Sequence, residues 1–152
     1  MEKMNFSVNI NAPKEKVWNA LWDDVSYRNW TSAFAAGSYA VTDNWEEGTK
    51  VLFLDAKGSG MVSKVAVNKP SEFMSFEHIG EVRDGVEDTT SEAVMQWKGA
   101  TENYTLKPVA DGTLLCVEME ANISESFKEY FEKTWPLALE KLKSLAEENS
   151  IL

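Results

Sequence analysis

Residues 124–149 read SESFKEYFEKTWPLALEKLKSLAEEN. On a helical wheel Phe127, Tyr130, Phe131, Thr134, Trp135, Ala138, Leu142, Leu145 and Ala146 share one wide face. Glu129, Glu132, Lys133, Glu140, Lys143 and Glu147 fill the other, so the stretch is an amphipathic helix. Ser126-Phe127-Lys128-Glu129 fits a serine-to-glutamate capping box, with Ser124 as the rival cap. About twenty-one residues from Ser126 make a rod of roughly 31 Å. Pro136 removes one backbone donor and crowds the carbonyl of Glu132. Because the apolar pattern continues in phase beyond it, a bend is expected there and not an end. So long an apolar face needs a large complementary surface, which the rest of the chain must supply.

The preceding residues read mostly as strands. Phe6, Val8 and Ile10 alternate with Ser7, Asn9 and Asn11, a half-buried strand. Pro13 and Glu15 then open a helix burying Val17, Trp18, Leu21 and Trp22, and Asp24 is read as the cap of a second short helix, Val25 to Trp30. Strands follow at Ser38–Asp43, Thr49–Ala56, Met61–Asn68, Phe73–Arg83, Ala100–Pro108 and Thr113–Ala121, punctuated by turn residues. Val86 to Lys98 is a long loop with a short helix capped by Ser91. Strands joined by short turns imply an antiparallel sheet with one face covered and one wet. The expected fold class is α+β: a curved antiparallel sheet of about six to seven strands around the C-terminal helix, two short helices after the first strand, and one domain over 1–152.

The bulk numbers exclude several function classes. A net charge of −10 argues against sequence-independent nucleic-acid binding, which needs clustered Lys and Arg. No run approaches the roughly 18 apolar residues of a membrane span, and the N-terminus does not read as a signal peptide. Cys116 is the only cysteine and His78 the only histidine, so a cysteine zinc cluster, a His-Glu-x-x-His site and an internal disulfide are all excluded. Gly58-Ser59-Gly60 lacks phosphate-loop spacing, and Glu147-Glu148 reads as a solvated helix end. The expectation is a cytoplasmic protein with no cofactor, no metal and no assigned catalytic residue.

Two polar residues stand on apolar strand faces. In Phe73–Arg83, Met74, Phe76, His78 and Val82 share one parity, while Ser75, Glu77 and Glu81 share the other, which turns His78 inward. Glu102 shares a face with Ala100, Tyr104 and Leu106, where a carboxylate is costly unless paired or wetted. Trp30, Phe34, Trp97, Phe127, Phe131 and Trp135 are core or the wall of an apolar pocket, with Met61, Met74, Met95 and Met119 as flexible walls.

Several stretches together resemble a known superfamily: Ile10-Asn11-Ala12-Pro13-Lys14-Glu15-Lys16-Val17-Trp18, Trp45-Glu46-Glu47-Gly48, Trp97 to Tyr104, Gly112-Thr113-Leu114-Leu115, and Trp135-Pro136-Leu137-Ala138-Leu139 with Leu142-Lys143. The chain is similar to START-like, Bet v 1-like (SRPBCC) proteins, and within them to the branch named after activators of the heat-shock-protein-90 ATPase. The resemblance implies the helix-grip fold. That superfamily includes lipid carriers, hormone receptors, cyclases and co-chaperone domains, so it leaves the activity open. The leading expectation is binding of a small hydrophobic or amphipathic molecule between sheet and helix. The residues expected to line its site are Phe76, His78, Glu102, Tyr104, Phe127, Phe131 and Trp135. The alternatives are a module that binds a chaperone or another protein, and a cyclase- or hydrolase-like enzyme needing His78 and Glu102 within about 3 Å of each other or of a substrate.

Overall fold

Strand Phe73–Arg83 (β5) forms where alternation predicts it, and the sheet is assembled on both its sides. The computed structural model describes residues 2–149, with only the backbone of Asn149. In chain order the elements are β1 (Glu2–Ile10), α1 (Lys14–Trp22), α2 (Asp24–Trp30), a 3-10 turn (Thr31–Ala33), β2 (Tyr39–Val41), β3 (Lys50–Leu54) and β4 (Gly60–Lys69). After β5 come β6 (Val86–Asp88), α3 (Glu92–Met95), β7 (Ala100–Val109), β8 (Gly112–Ala121) and α4 (Glu125–Asn149). The sheet is open and antiparallel, ordered β1-β8-β7-β5-β4-β3-β2, with β6 paired to β5. Eight strands, two short helices after the first strand and one long C-terminal helix make this the helix-grip α+β fold.

Among the described residues the sheet has one strand more than the expected six to seven. Val86–Asp88 pairs with Glu81–Arg83 inside what read as a loop, and Gly80 makes room for the turn that follows. A Cβ on Gly80 would lie 2.4 Å from the Asp88 carbonyl oxygen, closer than real Cβ atoms approach backbone. Asp88 then accepts the backbone N–H groups of Thr90 and Ser91, which holds its carboxyl below the usual range, and Ser91 caps α3 as expected. α3 packs against β5, and Val62, Val82 and Val94 are buried apart from the main core. Part of the face expected to be wet is therefore covered.

Two helix starts shift by one or two residues. Asp23, not Asp24, accepts the Ser26 N–H and caps α2. Ser124, not Ser126, accepts the Phe127 N–H and caps α4. The helix runs on through Pro136, since the phase of its apolar residues, not the missing donor, decides its extent. Its buried residues Trp135, Ala138, Leu139, Leu142 and Ala146 belong to the main core with Val17 and Leu21 of α1 and Leu115 and Val117 of β8. Its far end is tied down too. Glu147, read as part of a solvated end, accepts the Asn11 N–H at 2.8 Å and pairs with Lys143, and both partners pull its carboxyl below the usual range.

α4 packs against β1, α1, α2 and the 3-10 turn, so it lies over the β1–β8 side of the inner face. The inner rows on that side are apolar: Phe6–Val117–Tyr104 and Val8–Leu115–Leu106. The main contacts of the helix do not extend to the β3–β5 side. A space is left there.

Candidate functional site

The space is a pocket of about 550 Å³. Phe53 and Met61 of β3–β4, His78 of β5, Ala100, Glu102 and Tyr104 of β7, and Met119 of β8 form its sheet wall. Tyr27, Trp30 and Phe34 close it from α2 and the turn after it, and Phe127, Tyr130, Phe131 and Trp135 close it from α4. Trp97, just after α3, lies at its edge with Asn122 and Ile123.

Its aromatic walls are held rigidly. Trp135 stacks on Phe6 with centroids 5.8 Å apart, meets Phe34 edge-on at 4.8 Å, and donates its indole N–H to the Met119 sulfur at 3.1 Å. Trp30 donates its own to the Leu21 carbonyl at 3.2 Å, which satisfies a nearly fully buried ring.

The polar wall is one connected chain of side chains. Ser63 Oγ lies 2.6 Å from His78 Nδ1, His78 Nε2 lies 3.2 Å from Glu102 Oε1, and the Tyr104 hydroxyl donates to Glu102 Oε2. A neutral imidazole protonated at Nε2 satisfies every contact, with Ser63 donating to Nδ1. The strand register builds this cluster: Ser63 is opposite His78, and Phe76, two residues before His78, is opposite Glu102. Burial, then the charge of Glu102, holds the Tyr104 phenol well above its ordinary range, and Tyr27 is raised by the same two causes. Both phenols therefore keep their protons as donors.

Of the seven residues expected to line a site, the structure brings six to this pocket: His78, Glu102, Tyr104, Phe127, Phe131 and Trp135. Phe76 is not among the lining residues. Its ring is wholly buried behind the wall, enclosed by Trp22, Trp45, Phe53 and Tyr104. Phe127 lines the pocket but is 58% exposed, a rim residue and not the core residue that helical phase suggested. Met61 and Met119 are pocket walls, whereas Met74 is fully buried core and Met95 is on the surface.

Sequence reasoning missed three polar residues near this site. Glu81 was placed outward by alternation, yet it lines the pocket and Val82 faces away from it. The cause is a bulge: Ser63 pairs with His78 and Val62 with Gly80, so Ile79 is an extra residue and the parity flips beyond it. Ser63 was legible, because it shares the inward parity of Met61 and Val65. Tyr27 sits on a helix too short for its face to be read.

The distance between His78 and Glu102 is close to what acid–base chemistry would need, but both imidazole nitrogens are already engaged. Ser63 is fully buried and outside the pocket lining, so its hydroxyl cannot meet a substrate as a nucleophile. Among the described residues no group of three or more His, Cys, Asp or Glu is placed to hold a metal ion, and no helix is long and apolar enough to cross a membrane.

Comparison with known proteins agrees with this architecture. A crystal structure of a protein from Mesorhizobium loti is similar at a TM-score of 0.73 and 19% identity, covering 97% of this chain and 98% of that one. The solution structure of the Aha1 dimer from Colwellia psychrerythraea is similar at 0.72 and 19%, covering 97% of each chain. A solution structure from Cytophaga hutchinsonii gives 0.70 and 18%, covering 100% of this chain and 98% of that one. At such identities these likenesses show the fold alone. No curated protein matches the chain. The family model described as activator of Hsp90 ATPase homolog 1-like protein matches residues 11–147, nearly the whole chain, and this protein belongs to that family.

Proposed function

We propose that this chain binds a small amphipathic molecule in the pocket between the sheet and α4. The observation that carries the reading is a space of about 550 Å³ with aromatic walls and one connected polar cluster. Small-molecule sites span roughly 300–1,000 Å³ and combine apolar walls with a few placed polar groups. His78, Glu102, Tyr104, Phe131 and Trp135 are the contacts this reading assigns, with Phe127 at the entrance.

Titration with decan-1-ol, a flavonoid and a steroid tests it. A ligand that enters meets Trp30, Trp97 and Trp135, so tryptophan emission changes and binding has a negative heat-capacity change. Met119→Phe, which fills the space, weakens binding about tenfold, the effect of roughly 1.4 kcal/mol. Lys133→Ala, on the exposed face of α4, leaves it unchanged. If neither these three compounds nor a decyl chain bearing an amine or a carboxylate moves the emission or the melting temperature, the reading falls.

The second reading is a module that binds a chaperone or another protein. The family match favours it, together with the exposed Phe127 and Tyr130 on the first turns of α4. Under that reading Phe127→Ala abolishes capture of a protein partner, and small molecules have no effect.

A further inference from the structure

The charges around the pocket have one sign. Asp55, Glu81 and Glu102 line it, and among the described residues no lysine or arginine does. The three carboxylates are not equivalent. Asp55 turns back on its own hairpin, where Oδ1 accepts the N–H groups of Lys57 and Ser59. Glu81 is paired at 3.1 Å with Arg83, which is 75% exposed. Glu102 alone stands on the polar wall with donors that carry no fixed charge, the Tyr104 hydroxyl and the His78 Nε2–H. Each of its oxygens takes one such bond, and a carboxylate oxygen has capacity for a second. Tyr104, which bonds Glu102, has the Trp30 ring at 6.5 Å and the Trp135 ring at 6.2 Å from its own, Tyr27 is close enough to feel the charge of Glu102, and all of these line the same pocket.

A carboxylate in an aromatic-lined pocket attracts a cation by its own charge, and any ring face the cation reaches adds its quadrupole. The same carboxylate repels an anion, and no lysine or arginine in the lining offsets that. We propose that the pocket selects amphipathic cations, taking a hydrophobic amine with its ammonium against Glu102 and its alkyl or aryl body along the aromatic walls, and rejects fatty-acid anions of the same length. This rests on the small-molecule reading above and names the ligand class for the same site.

Three probes of equal chain length separate the two claims: decylamine, decan-1-ol and decanoate, titrated by calorimetry at neutral pH and fixed ionic strength. The expected order of affinity is decylamine, then decan-1-ol, then decanoate, with about tenfold or more between amine and acid. Glu102→Gln removes the charge and keeps the shape. Its amide oxygen can accept from Tyr104 while its NH2 donates to Nε2, if the imidazole proton moves to Nδ1 and points at Ser63. In this variant decylamine falls to the affinity of decan-1-ol, and decan-1-ol itself is unchanged. The protein carries −10 overall, so general attraction must be controlled. Glu140→Gln, on the exposed face of α4, should leave decylamine unchanged. The ranking in the unmodified protein tests the proposal even if Glu102→Gln fails to fold. Equal binding of all three probes, tighter binding of decanoate, or an equal loss in Glu140→Gln overturns the cation preference and leaves the pocket reading standing. No binding by any probe overturns both.

Discussion

Trp135→Ala lowers the stability of this protein by about 3–5 kcal/mol, the range for truncating a large buried aromatic. The indole is 3% exposed and sits where α4 meets the sheet. It touches β1 through Phe6, the 3-10 turn side through Phe34, α2 through Trp30 and β7 through Tyr104. Trp30, Phe34 and Tyr104 are each held by another ring and cannot collapse into the gap. Urea unfolding followed by far-UV circular dichroism measures the loss. A change within 1 kcal/mol would mean that α4 is not anchored through this residue.

Phe76→Ala costs a similar amount, about 3–5 kcal/mol, but by a different route. Phe76 is fully buried and packs edge-on against Trp22, Phe53 and Tyr104, so its removal leaves a closed void behind the polar wall. Because it does not line the pocket, the ratio of decylamine to decan-1-ol affinity is unchanged once measured below the lowered melting temperature. A changed ratio with little loss of stability would place Phe76 in direct contact with ligand, as strand parity alone suggested.

These two residues illustrate what could be read before the structure. Periodicity identified the faces of β5, β7 and α4 because each has one apolar side, and it put His78, Glu102, Tyr104 and Trp135 inward together. It does not say whether anything covers a given position. Phe127 is in phase with Trp135, yet it lies beyond the covered part of the helix and stays exposed. It also cannot reveal an inserted residue. Ile79 is the one apolar residue in the alternating set Ser75, Glu77, Ile79 and Glu81, a single exception that does not by itself reveal the flip bringing Glu81 to the pocket. The caps failed by a register: Asp23 and Asp24, like Ser124 and Ser126, are equally good oxygen acceptors, and only the backbone path chooses between them. The pairing of Val86–Asp88 with β5 turns on Asp84-Gly85, both at positive φ, a local hairpin signal, while the room for Asp88 beside Gly80 is a tertiary fact.

The central claim is that a ligand occupies the space between sheet and α4, and the six tryptophans provide an internal control for it. Trp30, Trp97 and Trp135 line the pocket, while Trp18, Trp22 and Trp45 lie outside its lining. Their indole N–H signals in a 1H–15N NMR spectrum can be followed through a titration with decylamine. The account predicts saturable shifts of the Trp30, Trp97 and Trp135 signals with the other three nearly still. Six unmoved signals, or shifts confined to Trp18, Trp22 and Trp45, would contradict it.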